Sequence, residues 1–221
     1  MPELVKVGTA HGMVCSFADL VGVKVRHNLL VRRNLVLKRF MDVALVIPAA
    51  IAALPIIGLA ALAIRLVDAG SPFYAQERIG RGGVRFKVWK LRTMYLDASE
   101  RLERHLEEDL HARDEWQRRY KLTRDPRILP GIGRWLRKSS LDELPQLFNI
   151  ARGEMSFVGP RPFPDYHVEA FDPSFRELRT KVMPGLTGLW QVTSRSESDL
   201  ARQKMLDSYY IANWSPWLDL Y

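Results

Sequence analysis

The sequence contains a single cysteine, Cys15. One thiol cannot form an internal disulfide, and there is no Cys-x-x-Cys pair to hold a metal or carry out redox chemistry. Disulfide frameworks stabilise many small secreted domains, so their absence favours a chain that stays in a reducing compartment. Disulfide-rich secreted folds and zinc ribbons are therefore excluded.

Charge is absent from the segment between Val43 and Ile64. Such an uncharged apolar run is typical of a membrane helix, because a rise of about 1.5 Å per residue takes it across roughly 30 Å of hydrocarbon. The run begins too far from Met1, and lacks the cleavage site, for a secretory signal that is removed. Pro48 and Pro55 lie inside it, and each proline removes a backbone hydrogen bond.

Basic residues flank this run on both sides, which disfavours a spanning helix because positive charge prefers the cytoplasmic side. They are Arg26, Arg32, Arg33, Lys38 and Arg39 before the run, and Arg65, Arg78, Arg81, Arg85, Lys87, Lys90 and Arg92 after it. We therefore predict a proline-broken, re-entrant membrane hairpin with its break at Pro55, entering and leaving on one face. A kinked span and a buried soluble helix are the alternatives.

The composition does not suit a disordered chain or a large multidomain machine. The 221 residues are enough for one medium domain, or a domain with an appendage, and 47% of them are hydrophobic. The 33 Lys and Arg residues exceed the 25 Asp and Glu residues, which gives a net charge of +8. A basic chain favours an anionic partner, which leaves open a nucleic acid, a membrane surface or a phosphorylated substrate.

Glycine-rich nucleotide-binding motifs are absent, since no Walker-type loop or Gly-x-Gly-x-x-Gly stands between a strand and a helix. The glycines at 80–83 instead predict the turn of a β-hairpin within residues 71–94, because apolar and basic residues alternate after them. Residues 95–120 carry charges of both signs among spaced leucines, which predicts one amphipathic helix. Its His105 and His111 are not three or four positions apart, which argues against a metal site.

The adjacent carboxylates of Asp142 and Glu143 lie between a basic stretch and an apolar run with helical spacing. Ser140 and Glu143 match a capping box, which implies no chemistry. The other interpretation is that a carboxylate at a helix N-terminus, near Arg and Lys, is held ionised and binds Mg²⁺ or acts as a nucleophile. The two interpretations are compatible if Glu143 caps the helix and Asp142 is the reactive carboxylate. Pro145 leaves the first residue of the helix open.

Three later segments complete the pattern. Prolines on both sides of Arg161 suit a guanidinium that meets a phosphate in a set geometry, and they equally suit a surface turn. Residues 183–188 predict a loop that leads into a short strand at 189–192. The tail after Asp199 fits either a membrane-surface helix or a core-packing helix. The whole pattern predicts an α+β, helix-rich fold: a membrane hairpin followed by a domain with a small β-hairpin and amphipathic helices.

The chain carries five distinctive motifs. They are KRFMD at Lys38–Asp42, the proline-broken apolar run, FKVWKLRTM at Phe86–Met94, SSLDELPQLFNIARGEMSFVGPRP at Ser139–Pro162 and PGLTGLWQV at Pro184–Val192. Together they resemble the bacterial sugar transferases, the monotopic polyprenyl-phosphate phosphoglycosyl transferases. Residues 19–37 resemble the linker before this domain in larger members. The resemblance implies an N-terminal extension (1–37), a membrane hairpin (38–70) and a cytoplasmic catalytic domain (71–221).

The resemblance also implies an activity: transfer of a sugar 1-phosphate from a UDP-sugar to polyprenyl (undecaprenyl) phosphate, with release of UMP. It implies a covalent aspartyl-phosphosugar intermediate, Mg²⁺ as cofactor and a place on the cytoplasmic face of the bacterial inner membrane. A homodimer is a further expectation, as is a role in the first membrane step of exopolysaccharide, O-antigen or capsule synthesis. The implied site residues are Asp142 (nucleophile and metal ligand), Glu143 (metal ligand or aid to proton transfer), and Lys90, Arg137, Arg161, Gln191 and Arg195 (donor contacts).

Three features depart from the family pattern. Leu54 replaces the serine often found before the breaking proline, so we expect Pro48 to share the break. Ser194 replaces the glycine of Gln-Val-x-Gly-Arg, which affects the turn that carries Arg195. The sequence ends at WLDLY, where relatives continue, so truncation is one expectation. The alternatives to an active transferase are an inactive membrane-anchored scaffold of the same fold and, last, a nucleic-acid-binding module, for which no recognition motif is present.

Overall fold

The computed structural model describes residues 13–17, 20–24, 27–119, 122–193 and 200–221. These ranges are rich in helix and contain short strands, which confirms the α+β, helix-rich class. The helices are α1 (Arg32–Val67), α2 (Ala98–Glu108), α3 (Leu110–Arg119), α4 (Ile132–Ser139), α5 (Gln146–Arg152), α6 (Asp165–Glu169), α7 (Pro173–Thr180), α8 (Leu189–Thr193), α9 (Leu200–Asn213) and α10 (Pro216–Leu220). The strands are β1 (Met13–Phe17), β2 (Leu20–Lys24), β3 (Phe73–Ile79), β4 (Arg85–Leu91), β5 (Ser156–Val158) and β6 (Gly185–Thr187).

The strands form three two-stranded sheets in the described ranges. β1 pairs with β2 in antiparallel register, Met13 opposite Lys24, and β5 pairs with β6 in parallel. β3 pairs with β4 across a short turn, which confirms the predicted hairpin. Gly82 and Gly83 in that turn have positive φ angles of 72° and 76°, a conformation that glycine adopts without a steric cost.

The apolar run forms one continuous helix, α1, which contains both Pro48 and Pro55. The long apolar helix is thus confirmed, but the expected break at Pro55, shared with Pro48, is wrong. Each proline removes a single amide donor, and hydrogen bonds on either side keep a helix continuous through such a site. The re-entrant arrangement, in which both basic flanks lie on one face of the membrane, stays a prediction.

The surface of α1 is apolar on nearly all sides. Only 17% of its most apolar window is buried, and Phe40, Ile51, Leu59 and Leu66 are among the large side chains that are exposed. A helix that is hydrophobic all round normally lies in a protein core or a membrane. By length and composition α1 could cross a membrane.

The described residues form two compact units. The first comprises the described residues up to Val46 together with Glu77–Phe86 and Ile150–Tyr221, and the second comprises Ile47–Gln76 and Lys87–Asn149. The domain boundaries implied by the family resemblance stay predictions.

Polar side chains at the start of α1 bind the rest of the first unit. Lys38 Nζ lies 2.7 Å from Asp219 Oδ2, and both side chains are buried. Arg39 donates to the carbonyl oxygens of Ile150 (2.7 Å) and Ala151 (2.9 Å), at the end of α5. These contacts explain why charged residues follow one another in the first turns of an otherwise apolar helix.

Asp42, one turn further along α1, accepts two hydrogen bonds from β5. The Ser156 hydroxyl donates to its Oδ1 at 2.9 Å, and the Phe157 amide donates to the same oxygen at 3.1 Å. Both Asp42 and Ser156 are buried. Because these donors share one buried carboxylate, the contact fixes where β5 lies along the helix.

We expect Ser156→Ala to lower the free energy of unfolding by about 1.5–3 kcal/mol, since it removes a buried hydrogen bond to a charged acceptor. Urea unfolding in detergent, followed by circular dichroism, measures the change. Ser174→Ala is the matched control, because Ser174 also donates to an aspartate, Asp172, but at an exposed position. An equal loss in the two variants would contradict a buried role for the Asp42 contact.

The described residues of the first unit form two apolar core clusters. One centres on Leu29, Val182, Tyr210, Ile211 and Trp214. The other is aromatic and contains Phe163, Val168, Phe171, Phe175 and Trp190. The core-packing interpretation of the tail is confirmed for Tyr210 and Trp214, which are buried. Trp217 and Leu220 are exposed, and a role of the tail at a membrane surface stays a prediction.

The second unit packs α1 against β4 and α4 through Ala60, Ile64, Leu91, Leu129 and Leu136. The single amphipathic helix predicted for residues 95–120 is wrong, since two helices, α2 and α3, occupy its described part. The break falls at Asp109, whose Oδ1 accepts from the amides of His111 (2.8 Å) and Ala112 (3.1 Å). A side chain that binds free amides starts a new helix where periodicity alone predicts continuity.

Candidate active site

Asp142 and Glu143 lie in a short 3₁₀ turn, Leu141–Glu143, between α4 and α5. Ser140 ends α4 in the left-handed conformation with a φ angle of 58°, and its amide donates to the carbonyls of Leu136 and Arg137. Leu141 packs against the apolar cluster of the second unit. The cap of α4 and this anchor therefore hold the turn that presents both carboxylates.

The capping-box interpretation of Ser140 and Glu143 is wrong. The Ser140 amide is already bonded to α4, and the Ser140 side chain makes no capping bond. Glu143 Oε1 instead lies 2.6 Å from Lys90 Nζ, in a pair that is about four-fifths buried. α5 begins at Gln146, directly after Pro145, so Glu143 lies before the helix.

Lys90 reaches this turn from β4, and Asn149 fixes that strand against α5. The Asn149 amide nitrogen donates to the Lys87 carbonyl at 2.7 Å, and the Trp89 amide donates to Asn149 Oδ1 at 3.2 Å. Asn149 is fully buried. No motif predicts this role for Asn149, and the one signal in the sequence is an asparagine inside the apolar run of α5.

Arg137 and Lys90 act on Asp142 from different elements. The Arg137 Nε donates to Thr93 Oγ1 at 2.9 Å, which holds its side chain near the turn. Burial raises the pKa of Asp142 above its ordinary value, and the charge of Glu143 adds to the rise, while Lys90 and Arg137 oppose it. Burial is the largest of these contributions, and it raises this pKa despite the two nearby cations. A higher pKa makes the carboxylate more basic and a better nucleophile.

The other predicted donor contacts do not belong to this unit. Arg161 follows β5 and Gln191 lies in α8, both in the first unit, and Gln191 Nε2 lies 3.4 Å from the Leu186 carbonyl. Arg195 lies outside the described residues. The predicted strand at 189–192 is wrong: these residues form helix α8, because the Gly188 carbonyl accepts from the amides of Gln191 and Val192.

The carboxylates of Asp142 and Glu143 suit magnesium only in a shared site. Magnesium is usually held by one or two carboxylates together with substrate phosphates and water. Among the described residues, no group of three or more His, Cys, Asp or Glu side chains could form a dedicated cage. Two adjacent carboxylates are a donor set that could take such an ion together with phosphate oxygens, and magnesium at Asp142 and Glu143 stays a prediction.

A family model described as bacterial sugar transferase matches residues 33–221. The chain belongs to the bacterial sugar transferase family. The matched residues include nearly all of α1, together with β4, the turn that carries Asp142 and Glu143, and the C-terminal helices.

Several curated proteins are similar to this chain in sequence, and their names describe sugar-phosphate transfer or exopolysaccharide production. The chain is 40% identical over 203 residues to an undecaprenyl-phosphate galactose phosphotransferase of Salmonella typhimurium, covering 91% of this chain and 42% of that protein. It is 43% identical over 183 residues to the exopolysaccharide production protein ExoY of Sinorhizobium fredii, covering 83% and 80%. It is 38% identical over 192 residues to a UDP-glucose:undecaprenyl-phosphate glucose-1-phosphate transferase of Caulobacter vibrioides, covering 83% and 65%. The chain thus spans about two fifths of several larger relatives.

Proposed function

We propose that this chain transfers a sugar 1-phosphate from a UDP-sugar to a polyprenyl phosphate, as a step in polysaccharide synthesis. The observation that carries the proposal is the partly buried Asp142, whose turn is lined by Glu143, Lys90 and Arg137. Relatives that are named for this transfer support it. A non-catalytic scaffold would not need a partly buried carboxylate next to a second carboxylate and two cations.

The reaction would proceed in two displacements at the β-phosphorus of the donor. An oxygen of Asp142 bonds to the β-phosphorus. At the same time the bond between this phosphorus and the oxygen that bridges the two phosphates breaks, and UMP leaves with the electron pair. A phosphate oxygen of the polyprenyl acceptor then attacks the same phosphorus and returns the electron pair to the Asp142 carboxylate. Both steps need mainly positioning and neutralisation of negative charge.

Cations on the described elements would supply this neutralisation. Lys90 and Arg137 act beside Asp142, and Arg161 is a further proposed cation for the donor, with Gln191 as a proposed uncharged contact. A magnesium ion, when bound by Asp142 and Glu143, would neutralise further charge on the donor phosphates. The ion pair with Lys90 holds the Glu143 carboxylate in place.

We also propose that α1 associates with the bacterial inner membrane and that the catalytic residues work at its cytoplasmic face. The exposed apolar side chains around α1 support the association. A lipid-linked acceptor requires an enzyme at the membrane surface. Carbonate washing of membranes tests this: protein that remains in the pellet supports the proposal, and release into the supernatant contradicts it.

UMP release by the purified chain tests the activity. The assay combines Mg²⁺, undecaprenyl phosphate and, in turn, UDP-glucose, UDP-galactose and UDP-N-acetylated sugars. We expect release with one donor, dependence on Mg²⁺, and transfer of the sugar to the lipid. No release with any donor would favour the inactive scaffold. Cross-linking in detergent would test the expected homodimer separately.

We expect Lys90→Met to lower kcat/KM for the donor by about 10²-fold to 10³-fold, because it removes a cation that neutralises developing charge. Steady-state UMP release measures the loss. Lys87→Met is the matched control, since Lys87 lies on the same strand but is exposed. Equal kcat/KM values in the two variants would contradict a role for the Lys90 charge in the reaction.

A further inference from the structure

Two charged residues are paired inside the first unit. Arg179, on α7, is 7% exposed and Asp207, on α9, is 2% exposed, and Arg179 Nε lies 3.4 Å from Asp207 Oδ2. Removing two charges from water costs several kcal/mol for each ion, so a buried pair is a weak source of stability. Stability alone therefore does not explain why Arg179 and Asp207 are buried together.

The guanidinium of Arg179 also binds the loop that carries Arg161. Its Nη2 donates to the backbone carbonyl of Arg161, while its Nε faces Asp207. Its Cζ lies 4.5 Å from the centre of the Phe163 ring, two residues further along that loop. One side chain thus contacts a carboxylate, a carbonyl and an aromatic face at the same time.

The rest of this loop is held through its backbone. The Gly159 amide donates to the Thr187 carbonyl and the Gly185 amide donates to the Pro160 carbonyl, each at 2.9 Å. A Cβ atom on Gly159 would lie 2.7 Å from the Met183 carbonyl, so the two segments are in close contact. Pro160 and Pro162 have no amide hydrogen, so at these two positions the backbone can form hydrogen bonds only through its carbonyl groups.

We propose that Arg179, held by Asp207, is a positioning residue that fixes the backbone of Arg161 so that the Arg161 guanidinium meets the donor diphosphate. This inference rests on the proposed function. Arginine suits the task because its planar fork directs separate nitrogens at two acceptors, whereas lysine has one nitrogen. Asp207 compensates the charge and orients the fork.

Arg179→Lys is the decisive variant. It keeps a cation for Asp207, but one ammonium cannot serve Asp207 and the Arg161 carbonyl in the geometry of the fork. We expect a folded protein whose KM for the UDP-sugar rises about tenfold or more, because small misplacements of a positioning group are costly. The KM for undecaprenyl phosphate should not change. A donor KM equal to that of the unmodified chain in folded Arg179→Lys would overturn the proposal.

A double variant separates positioning from general structure. If Arg179 acts through Arg161, the double variant Arg161→Ala with Arg179→Lys should have the same donor KM as Arg161→Ala alone. Full additivity of the two losses would overturn the proposal. Absence of UMP release from the unmodified chain would instead overturn the proposed function, so the two failures can be told apart.

A second pair of variants covers the case in which Arg179→Lys does not fold. Phe163→Leu removes the aromatic face beneath Arg179, and Phe175→Leu is its control in the same aromatic cluster, where Phe175 packs against Phe171. We expect similar losses of thermal stability in both variants, but a higher donor KM in Phe163→Leu only. Equal donor KM values would overturn the proposal.

Discussion

Asp142→Asn is expected to reduce UMP release by at least about a thousandfold while the fold is kept. The amide is almost the same size as the carboxylate, but it is a poor nucleophile and cannot form the covalent bond to phosphorus. Asp142 lies in a turn held by the Ser140 cap and by Leu141, so the backbone should tolerate the change. Donor turnover and the near-ultraviolet circular dichroism spectrum measure activity and fold.

Intermediate trapping makes this test sharper. Incubation of the unmodified chain with a sugar-labelled donor, without acceptor, should leave label on the protein, and Asp142→Asn should carry none. Glu107→Gln is the matched control, because it is the same kind of change at an exposed carboxylate on α2. Turnover near that of the control in Asp142→Asn would rule out the covalent mechanism.

Asp219→Ala is expected to lower the free energy of unfolding by about 3–5 kcal/mol, since it leaves the buried charge of Lys38 without its partner. Asp219 also accepts from the Tyr210 hydroxyl at 2.8 Å and from the Trp214 indole at 3.1 Å. Three donors in the core thus lose one acceptor. Denaturant unfolding in detergent, monitored by tryptophan fluorescence, measures the loss.

An exposed ion pair provides the comparison. Asp97→Ala removes the partner of Arg101, where both side chains are more than a third exposed, and should cost much less than Asp219→Ala because solvent screens the pair. Lys38→Met combined with Asp219→Leu should recover part of the loss, because apolar residues need no partner in the core. A cost for Asp219→Ala as small as that for Asp97→Ala would contradict a buried pair.

Local patterns carried the sequence predictions that the structure confirms. The β3–β4 hairpin follows from alternation around a glycine turn, and the long apolar helix follows from the absence of charge. α8 was missed because a run as short as Leu189–Val192 does not distinguish strand from helix. The α2–α3 break was missed because the Asp109 side chain, rather than periodicity, decides where a new helix begins.

The candidate site was predictable in its residues but not in its partners. Asp142 and Glu143 are adjacent in the sequence, so their pairing needed no tertiary information. Lys90 is 53 positions away from Glu143, and their contact depends on how β4 and α5 pack. Asn149, which holds that packing, has no motif of its own. The rise in the pKa of Asp142 was also unpredictable, because burial is a property of the fold.

The contact between Lys38 and Asp219 joins residues 181 positions apart. During synthesis at about 5–20 residues per second, α1 leaves the ribosome roughly 10–40 s before its partner exists. For that interval the exposed apolar surface of α1 needs a lipid surface or a chaperone, because exposed apolar surface aggregates in water. We therefore expect membrane insertion to come first and closure of the first unit to be the last folding event.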